Sequence, residues 1–207
     1  MLVSSYSNNG LNDVLVIELK QSAKADQDFE RQGNIARLYN RESNETVGFN
    51  FFNASSLLSF EEDGPVTLSD EEIDVLNKAL DEEGFKQELE ADASPKFVVG
   101  LVKHLEPMED SDHLNITQTE IDGDAVVQIV CGAKNVAQGQ KVVVAKPGAI
   151  MPDGSIIWPG QLRGMDSFGM ISSAYELGLD PEHEQKGILV LDDDATVGEA
   201  FDFNGKK

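Results

Sequence analysis

The sequence predicts two domains, a small α+β domain over residues 1–90 and an all-β domain over residues 96–205. Two observations support this division. The first half mixes apolar runs of strand length with one helical pattern, whereas the second half holds five short strands separated by glycine-rich turns. Between the halves, residues 81–95 are acidic and end in Ser94-Pro95, which disfavours a continuing helix. We therefore predict a linker over residues 91–95.

The first half contains three strand candidates and one helix candidate. The strand candidates are Val14–Lys20, Ile35–Tyr39 and Val47–Phe52. Ser69 and Glu72 have the spacing of a capping box, in which each side chain bonds the backbone N–H of the other residue. Apolar residues then recur at helical spacing from Ile73 to Leu80, and Gly84 stands where such a helix would end.

The strand candidates of the second half are all short. They are Phe97–Lys103, Asn115–Ile121, Ala125–Val130, Lys141–Ala145 and Met170–Ser173. Asp122-Gly123-Asp124 separates the second from the third and is a hairpin signal. Five short strands with glycine-rich corners fit a small barrel. The predicted fold is therefore an α+β N-terminal domain followed by an all-β OB-fold barrel.

Composition excludes several classes of protein. The chain is 40% hydrophobic, which is enough for packed cores, and its single Cys excludes a disulfide framework or a Cys-based metal site within the chain. No apolar run approaches the roughly 20 residues that span a bilayer, and the N-terminus lacks the pattern of a signal peptide. We expect a cytoplasmic protein with no membrane partner. No catalytic motif is present, so we expect neither an enzyme nor a bound cofactor or metal.

Net charge is the strongest compositional signal. Sixteen Lys and Arg against 38 Asp and Glu give a net charge of −22. Seven basic and twenty acidic residues give −13 for residues 1–94, and nine basic and eighteen acidic residues give −9 for the remainder. Taken alone, this charge argues against polyanionic partners such as RNA, DNA or acidic membranes.

Four segments of the second half, in chain order, are more specific than the composition. They read HLEPMEDSDHL at 104–114, IVCGAKN at 129–135, KPGAIMPDG at 146–154 and LRGMDSFGMISSAYELG at 162–178. Together they resemble the tRNA-binding domain of bacterial phenylalanyl-tRNA synthetase β chains. The layout of the chain also resembles the YtpR-type tRNA-binding proteins, in which a small extra domain precedes this one. The resemblance implies an OB-fold that binds structured tRNA without catalysis. It also suggests that the protein forms a homodimer, or that it binds an aminoacyl-tRNA synthetase or another protein.

The residues predicted to meet RNA lie in or beside these segments. An RNA-binding groove needs positive charge and hydrogen-bonding groups, usually supplemented by stacking groups. The predicted RNA-binding residues are Arg163, Asn135, Lys134, Lys103, Lys146, Ser167, Met170, Ser172 and Ser173. Arg163 is the first choice, because its planar guanidinium suits phosphate and stacks on bases.

Several of these residues suit structural roles equally well. Met170 could fill the core, and Asn135 could hold a turn. Cys131, which is not among the predicted contacts, fits a small core residue better than a nucleophile. The family usually carries a Lys where this chain has His113, and residues 156–161 contain no Lys. Two functions therefore stay open. One is tRNA binding that is weak and salt-sensitive; the other is a protein-interaction module whose OB-fold has lost most RNA affinity.

Overall fold

The computed structural model describes residues 1–203 and 205. The chain divides into two compact units, of which the first is Met1–Ser94 and the second begins at Pro95. Strands dominate both units, and the α-helix of the described part, α1 (Asp70–Glu82), belongs to the first. No helix in that part is both long and apolar enough to cross a membrane.

One antiparallel sheet organises the first unit. Its strands are β1 (Val3–Ser7), β2 (Val14–Glu18), β3 (Gln27–Gln32), β4 (Ile35–Asn40), β5 (Thr46–Phe52) and β6 (Gly64–Pro65). They lie in the order β3-β4-β5-β2-β1-β6. The three predicted strands are confirmed as β2, β4 and β5, whereas β1, β3 and β6 are additional. The first unit is thus β-rich with one helix, and the α+β prediction holds only in that coarser sense.

The helix α1 begins at the predicted capping box. The Ser69 hydroxyl accepts a hydrogen bond from the Glu72 N–H at 3.3 Å, and the Glu72 carboxylate accepts one from the Ser69 N–H at 2.8 Å. These bonds satisfy N–H groups that have no partner within the helix. The apolar face of α1 then packs into a single core with Phe49 and Phe51 of β5. Its buried residues are Ile73, Leu76 and Leu80.

The strands of the second unit differ in length, from two residues to eleven. They are β7 (Phe97–Pro107), β8 (Asn115–Asp122), β9 (Ala125–Cys131), β10 (Lys141–Ala145), β11 (Gly160–Leu162), β12 (Met165–Ser167), β13 (Met170–Ile171) and β14 (Val190–Leu191). One sheet has the order β13-β10-β7-β8-β9, with β14 also paired to β10, and β11 and β12 form a separate hairpin. The five predicted strands are confirmed as β7 to β10 and β13, and β11, β12 and β14 are additional.

The predicted OB-fold barrel is observed only as an open sheet within the described residues. Strands β9 and β13 are its two edges, and no ladder joins them. The Phe168 N–H donates a single hydrogen bond to the Gln128 carbonyl on β9 at 2.8 Å. The backbone then takes a positive φ of 138° at Gly169 and pairs with β10 instead. The chain therefore leaves β9 before a ladder can extend.

Two hydroxyls of β8 are bonded inside the second unit. Thr117 and Thr119 are fully buried, and their hydroxyl oxygens lie 2.9 Å apart. The Thr117 hydroxyl donates to the Ile129 carbonyl on β9 at 2.9 Å. Both buried oxygens are thereby satisfied, and β8 is tied to β9 by side chains as well as by its backbone ladder.

Candidate nucleic-acid interface

A groove with a volume of about 550 Å³ opens at the end of β9. Residues 130–133 form one side, and Met170 and Ile171 of β13 contribute apolar surface. The remaining lining comes from the 173–176 turn and from the loop that leads to Ile188. The groove therefore lies where three separate chain segments meet, and each of them belongs to a motif or follows one.

The 173–176 turn is held by its own side chains. The Ser173 N–H and hydroxyl both donate to the Glu176 carboxylate, at 2.7 and 2.6 Å, and the Glu176 N–H donates back to the Ser173 hydroxyl at 3.2 Å. This is the reciprocal arrangement of a capping box. The polar groups of Ser173 are thus engaged internally, while Tyr175 between them is 49% exposed.

Tyr175 stacks on His183 beside the groove. The two ring centroids are 4.5 Å apart and the rings are inclined by 13°. The loop carrying His183 is held by Asp180, whose carbonyl accepts from the His183 N–H at 3.0 Å and whose carboxylate accepts from the Gln185 N–H at 2.8 Å. The bond from Gln185 lowers the pKa of Asp180. Sequence reasoning missed both rings, because a contact across a loop leaves no local pattern.

Three lysines adjoin residues that line or flank this groove. Lys134 follows Ala133, Lys186 precedes Gly187, and both are exposed. Lys146 is half-buried and follows the β10 residue that pairs with Met170. Among the described residues none of the three forms an ion pair. Their charges are therefore available to a phosphate, and Lys186 was absent from the sequence prediction.

Lys103 is engaged elsewhere, on the β7–β8 pair. Its ammonium donates to the Glu120 carboxylate at 2.8 Å, and this bond raises the pKa of Lys103. An ammonium already paired with a carboxylate gains less from a phosphate, because the existing ion pair must first be broken. Lys103 is therefore a weaker candidate than Lys134.

Arg163 occupies a second cavity of about 380 Å³ that does not include the groove residues. It lies in the tight turn between β11 and β12 with a φ of +49°, and Gly164 follows at +81°. A non-glycine residue other than Asn or Asp is uncommon in this left-handed region. The guanidinium donates to the Asp110 carbonyl at 3.3 Å, and Glu106 and Glu109 also line the cavity. The structure thus separates Arg163 from the lysines beside the groove.

Three other predicted site residues have internal roles. The Asn135 amide donates to the Ile188 carbonyl at 3.0 Å and accepts from the Ile188 N–H at 2.9 Å. The Ser167 hydroxyl accepts from the Val130 N–H at 3.1 Å. The Ser172 side chain is fully buried, so it is not available to RNA. Asn135 and Ser167 thus hold the backbone beside the groove, whereas the Ser172 hydroxyl is enclosed without a hydrogen-bond partner among the described residues.

Met170 and Cys131 both line the groove, but they differ in exposure. Met170 is half-buried, whereas Cys131 is buried and belongs to a core cluster of the second unit. Burial raises the pKa of the Cys131 thiol. A thiol that stays protonated is a poor nucleophile, which agrees with the predicted core role.

Two protein-family models match the chain. Residues 97–200, half of the chain, match the family described as "Putative tRNA binding domain". Residues 22–92 match a "Domain of unknown function (DUF4479)". The first match lies entirely within the second unit and includes every residue that lines the groove.

Three relatives illustrate what the chain is similar to. The "Putative tRNA-binding protein YtpR" of Bacillus subtilis is 46% identical over 96% of this chain and 98% of its own length. The phenylalanine–tRNA ligase β subunits of Oceanobacillus iheyensis and Campylobacter jejuni are 46% and 50% identical over 54% and 49% of this chain. The matched parts are only 14% and 13% of those two subunits.

Proposed function

Because the chain belongs to the family of YtpR-type tRNA-binding proteins, we propose that it is a non-catalytic protein that binds structured tRNA through its second unit. The observation that carries this proposal is the coincidence of the tRNA-binding family match with the groove. That groove is lined by exposed aromatic rings, and lysines without an ion pair adjoin its lining residues in the chain. Positive charge and stacking rings are the two components of sequence-tolerant RNA binding.

We also propose that the second unit is OB-like. Its strands β7, β8 and β9 pair consecutively and β10 returns to pair with β7, which is the order expected for four of the five strands of such a fold. In this proposal β13 supplies the fifth strand, and β9 and β13 approach each other without a full ladder. An OB-like arrangement would leave an open edge at which the groove lies.

The proposed contacts are Lys134, Lys146 and Lys186 for phosphate and Met170 for a base or ribose. With about three phosphate contacts, the logarithm of tRNA affinity should fall against the logarithm of salt concentration with a slope of about −2 to −3. The remaining surface is acidic and repels RNA, so binding should be weak and confined to this patch.

Titration of the full-length protein with a tRNA transcript across a salt series tests the proposal. Lys134→Ala and Lys186→Ala should each weaken binding and reduce the salt slope by about 1. Lys103→Ala is the matched control, because that lysine is already paired with Glu120. Absence of binding by the wild-type protein at low salt would contradict the proposal.

One substitution can test whether Arg163 contacts RNA independently of the groove. Asn tolerates the left-handed backbone better than Arg does, so Arg163→Asn removes the guanidinium and preserves the turn. If the β11–β12 hairpin contacts RNA, this variant should bind tRNA more weakly while remaining as stable as the wild type or becoming more stable. Unchanged affinity would restrict the interface to the groove.

A specific observation favours the second candidate function, a protein-interaction module. The cavity around Arg163 is lined by Glu106 and Glu109, a setting that discourages phosphate and suits a basic protein segment. If the wild-type protein does not bind tRNA in the salt-series experiment, the protein-interaction module is the remaining candidate.

The homodimer and the synthetase partner stay predictions. Sedimentation of the protein alone and with a synthetase would test them. A tRNA ligand would also agree with the predicted cytoplasmic location.

A further inference from the structure

The aromatic pair at the groove is placed where a ligand can reach it. Tyr175 and His183 are both exposed and both line the groove, and their rings are nearly parallel. Each residue is held by its own hydrogen-bonded turn, around Ser173–Glu176 and Asp180–Gln185. The two rings therefore form a stacked pair whose exposed surface is available to a further planar group.

The size of the groove favours a single-stranded segment over a helix. Its volume of about 550 Å³ falls within the range of sites that hold small molecules, and one or two nucleobases fit such a space. In a double helix the faces of the bases are covered by their neighbours, so a duplex offers no free face to Tyr175. Unpaired nucleotides at an end, loop or bulge do.

The chemistry of the lining favours stacking over reading of base edges. Met170 and Ile188 contribute apolar surface, whereas the carboxylate of Glu176 and the hydroxyl of Ser173 are bonded to each other. Few free hydrogen-bonding side chains remain to distinguish one base from another. Every base has a π-face, so contact with this surface is tolerant of sequence.

We propose that the groove binds an unstacked nucleobase of single-stranded RNA, which extends the Tyr175–His183 stack while Lys134 or Lys186 binds the adjoining phosphate. This inference rests on the proposed function and adds the class of nucleotide that the site takes. Unpaired nucleotides of a tRNA are the ligand in this proposal, and its helical arms contribute only backbone phosphates.

The test uses the full-length protein and a single-stranded RNA of about eight nucleotides containing 2-aminopurine. Stacking should quench 2-aminopurine fluorescence on binding. The same strand annealed to its complement should bind more weakly, and the protein should cause no further quenching of its fluorescence. Tyr175→Ala should weaken single-strand binding roughly 5- to 100-fold and abolish the quenching. Tyr175→Phe is the matched control, because it keeps the ring and should keep both signals.

Competition with an unlabelled tRNA transcript separates this inference from the proposed function. Displacement of the labelled strand by tRNA supports both the proposed function and the base-stacking inference if Tyr175→Ala also loses single-strand affinity and quenching. Binding of tRNA with no quenching of the single strand, and equal tRNA affinity in Tyr175→Ala, overturns the base-stacking inference alone. Binding of the single strand without binding of tRNA supports the inference and contradicts the proposed function. Circular dichroism of Tyr175→Ala confirms that the variant is folded.

Discussion

The two units use their aromatic side chains in opposite ways. In the first unit Tyr6, Phe49, Phe51 and Phe85 are buried in one core. In the second unit, the fully buried hydrophobic residues that the structure describes include no aromatic ring, and valine and isoleucine fill the interior. Its rings lie nearer the surface, with Phe168 and Tyr175 more than 40% exposed.

This contrast separates stability from binding. Burying a Phe side chain stabilises a fold by about 1.5–3 kcal/mol relative to leaving it in water. A unit that leaves large rings exposed forgoes that stabilisation, and such rings are also the groups on which nucleobases stack. Substitution of the buried aromatic residues should therefore affect folding in the first unit, and substitution of the exposed Tyr175 should affect ligand binding in the second.

The largest expected effect is that of Phe49→Ala. Phe49 is fully buried and packs against Phe85 with ring centroids 6.2 Å apart, so its truncation should destabilise the first unit by about 3–5 kcal/mol. Urea unfolding of the full chain can resolve the two units, because the only tryptophan, Trp158, lies in the second. We expect the circular dichroism transition to shift and the Trp158 fluorescence transition to stay in place.

Phe29→Ala provides the matched control within the same unit. Phe29 is 66% exposed on the edge strand β3, so its truncation should change stability by less than about 0.5 kcal/mol. An equal shift of the Trp158 transition in Phe49→Ala would show that the units unfold together, and the proposed separation would fail.

A smaller effect is expected from neighbouring residues of the second unit. Asn135→Ala removes two hydrogen bonds to the Ile188 backbone and should destabilise this unit by about 1–3 kcal/mol, measured by the Trp158 transition. Lys134→Ala should leave that transition unchanged and lower tRNA affinity. If Asn135→Ala were as stable as the wild type and lost tRNA binding, Asn135 would be an RNA contact after all.

The smallest expected effect is a pH dependence of stability. It comes from a feature that both units contain, a carboxylate that accepts hydrogen bonds from the N–H groups of a loop. Bonds from the Asn9 and Asn8 N–H groups lower the pKa of Asp63 in the first unit. A group whose pKa is lower in the folded state stabilises the fold above its unfolded pKa. This contribution is lost as pH falls through the folded pKa.

Acid titration followed by NMR checks this expectation. The Asp63 carboxyl should titrate below its ordinary pKa of 3.8, and the Asn8 and Asn9 amide signals should shift with the same midpoint. Asp63→Asn should remove the common midpoint from both amides. A midpoint at or above 3.8 would mean that the carboxylate does not hold this loop in solution.

The sequence predicted those elements of the fold that have local signals. The capping box at Ser69 and Glu72 predicted where α1 begins, because both bonds form between residues three apart. Strand β3 was missed, because nearly all of its side chains are exposed and QDFERQ shows no alternation of apolar and polar residues. Its position at the sheet edge follows from pairing with β4, which propensity does not encode.

The sequence indicated which segments surround the candidate site more readily than it indicated the role of each residue there. The motifs include the segments around Ala133, Met170 and Ser173 that meet at the groove. They could not show that Ser173 bonds Glu176 or that Tyr175 stacks on His183, because those contacts depend on how the loops fold back. A sequence motif therefore does not show which of its polar residues shape the groove and which are free to bind a ligand.

The buried hydroxyls of Thr117 and Thr119 also determine the alignment of the strand that leads into the groove. Because side chains alternate along a strand, sliding β8 by one residue would turn both hydroxyls outward and move Gln118 inward. The bond from Thr117 to Ile129 would break in the same step. Such a slip would displace the end of β9 by about 3.3 Å relative to its neighbour, more than half of the distance between the stacked rings. Two small polar side chains in the interior therefore fix the register of β8 against β9, the strand that ends at the groove.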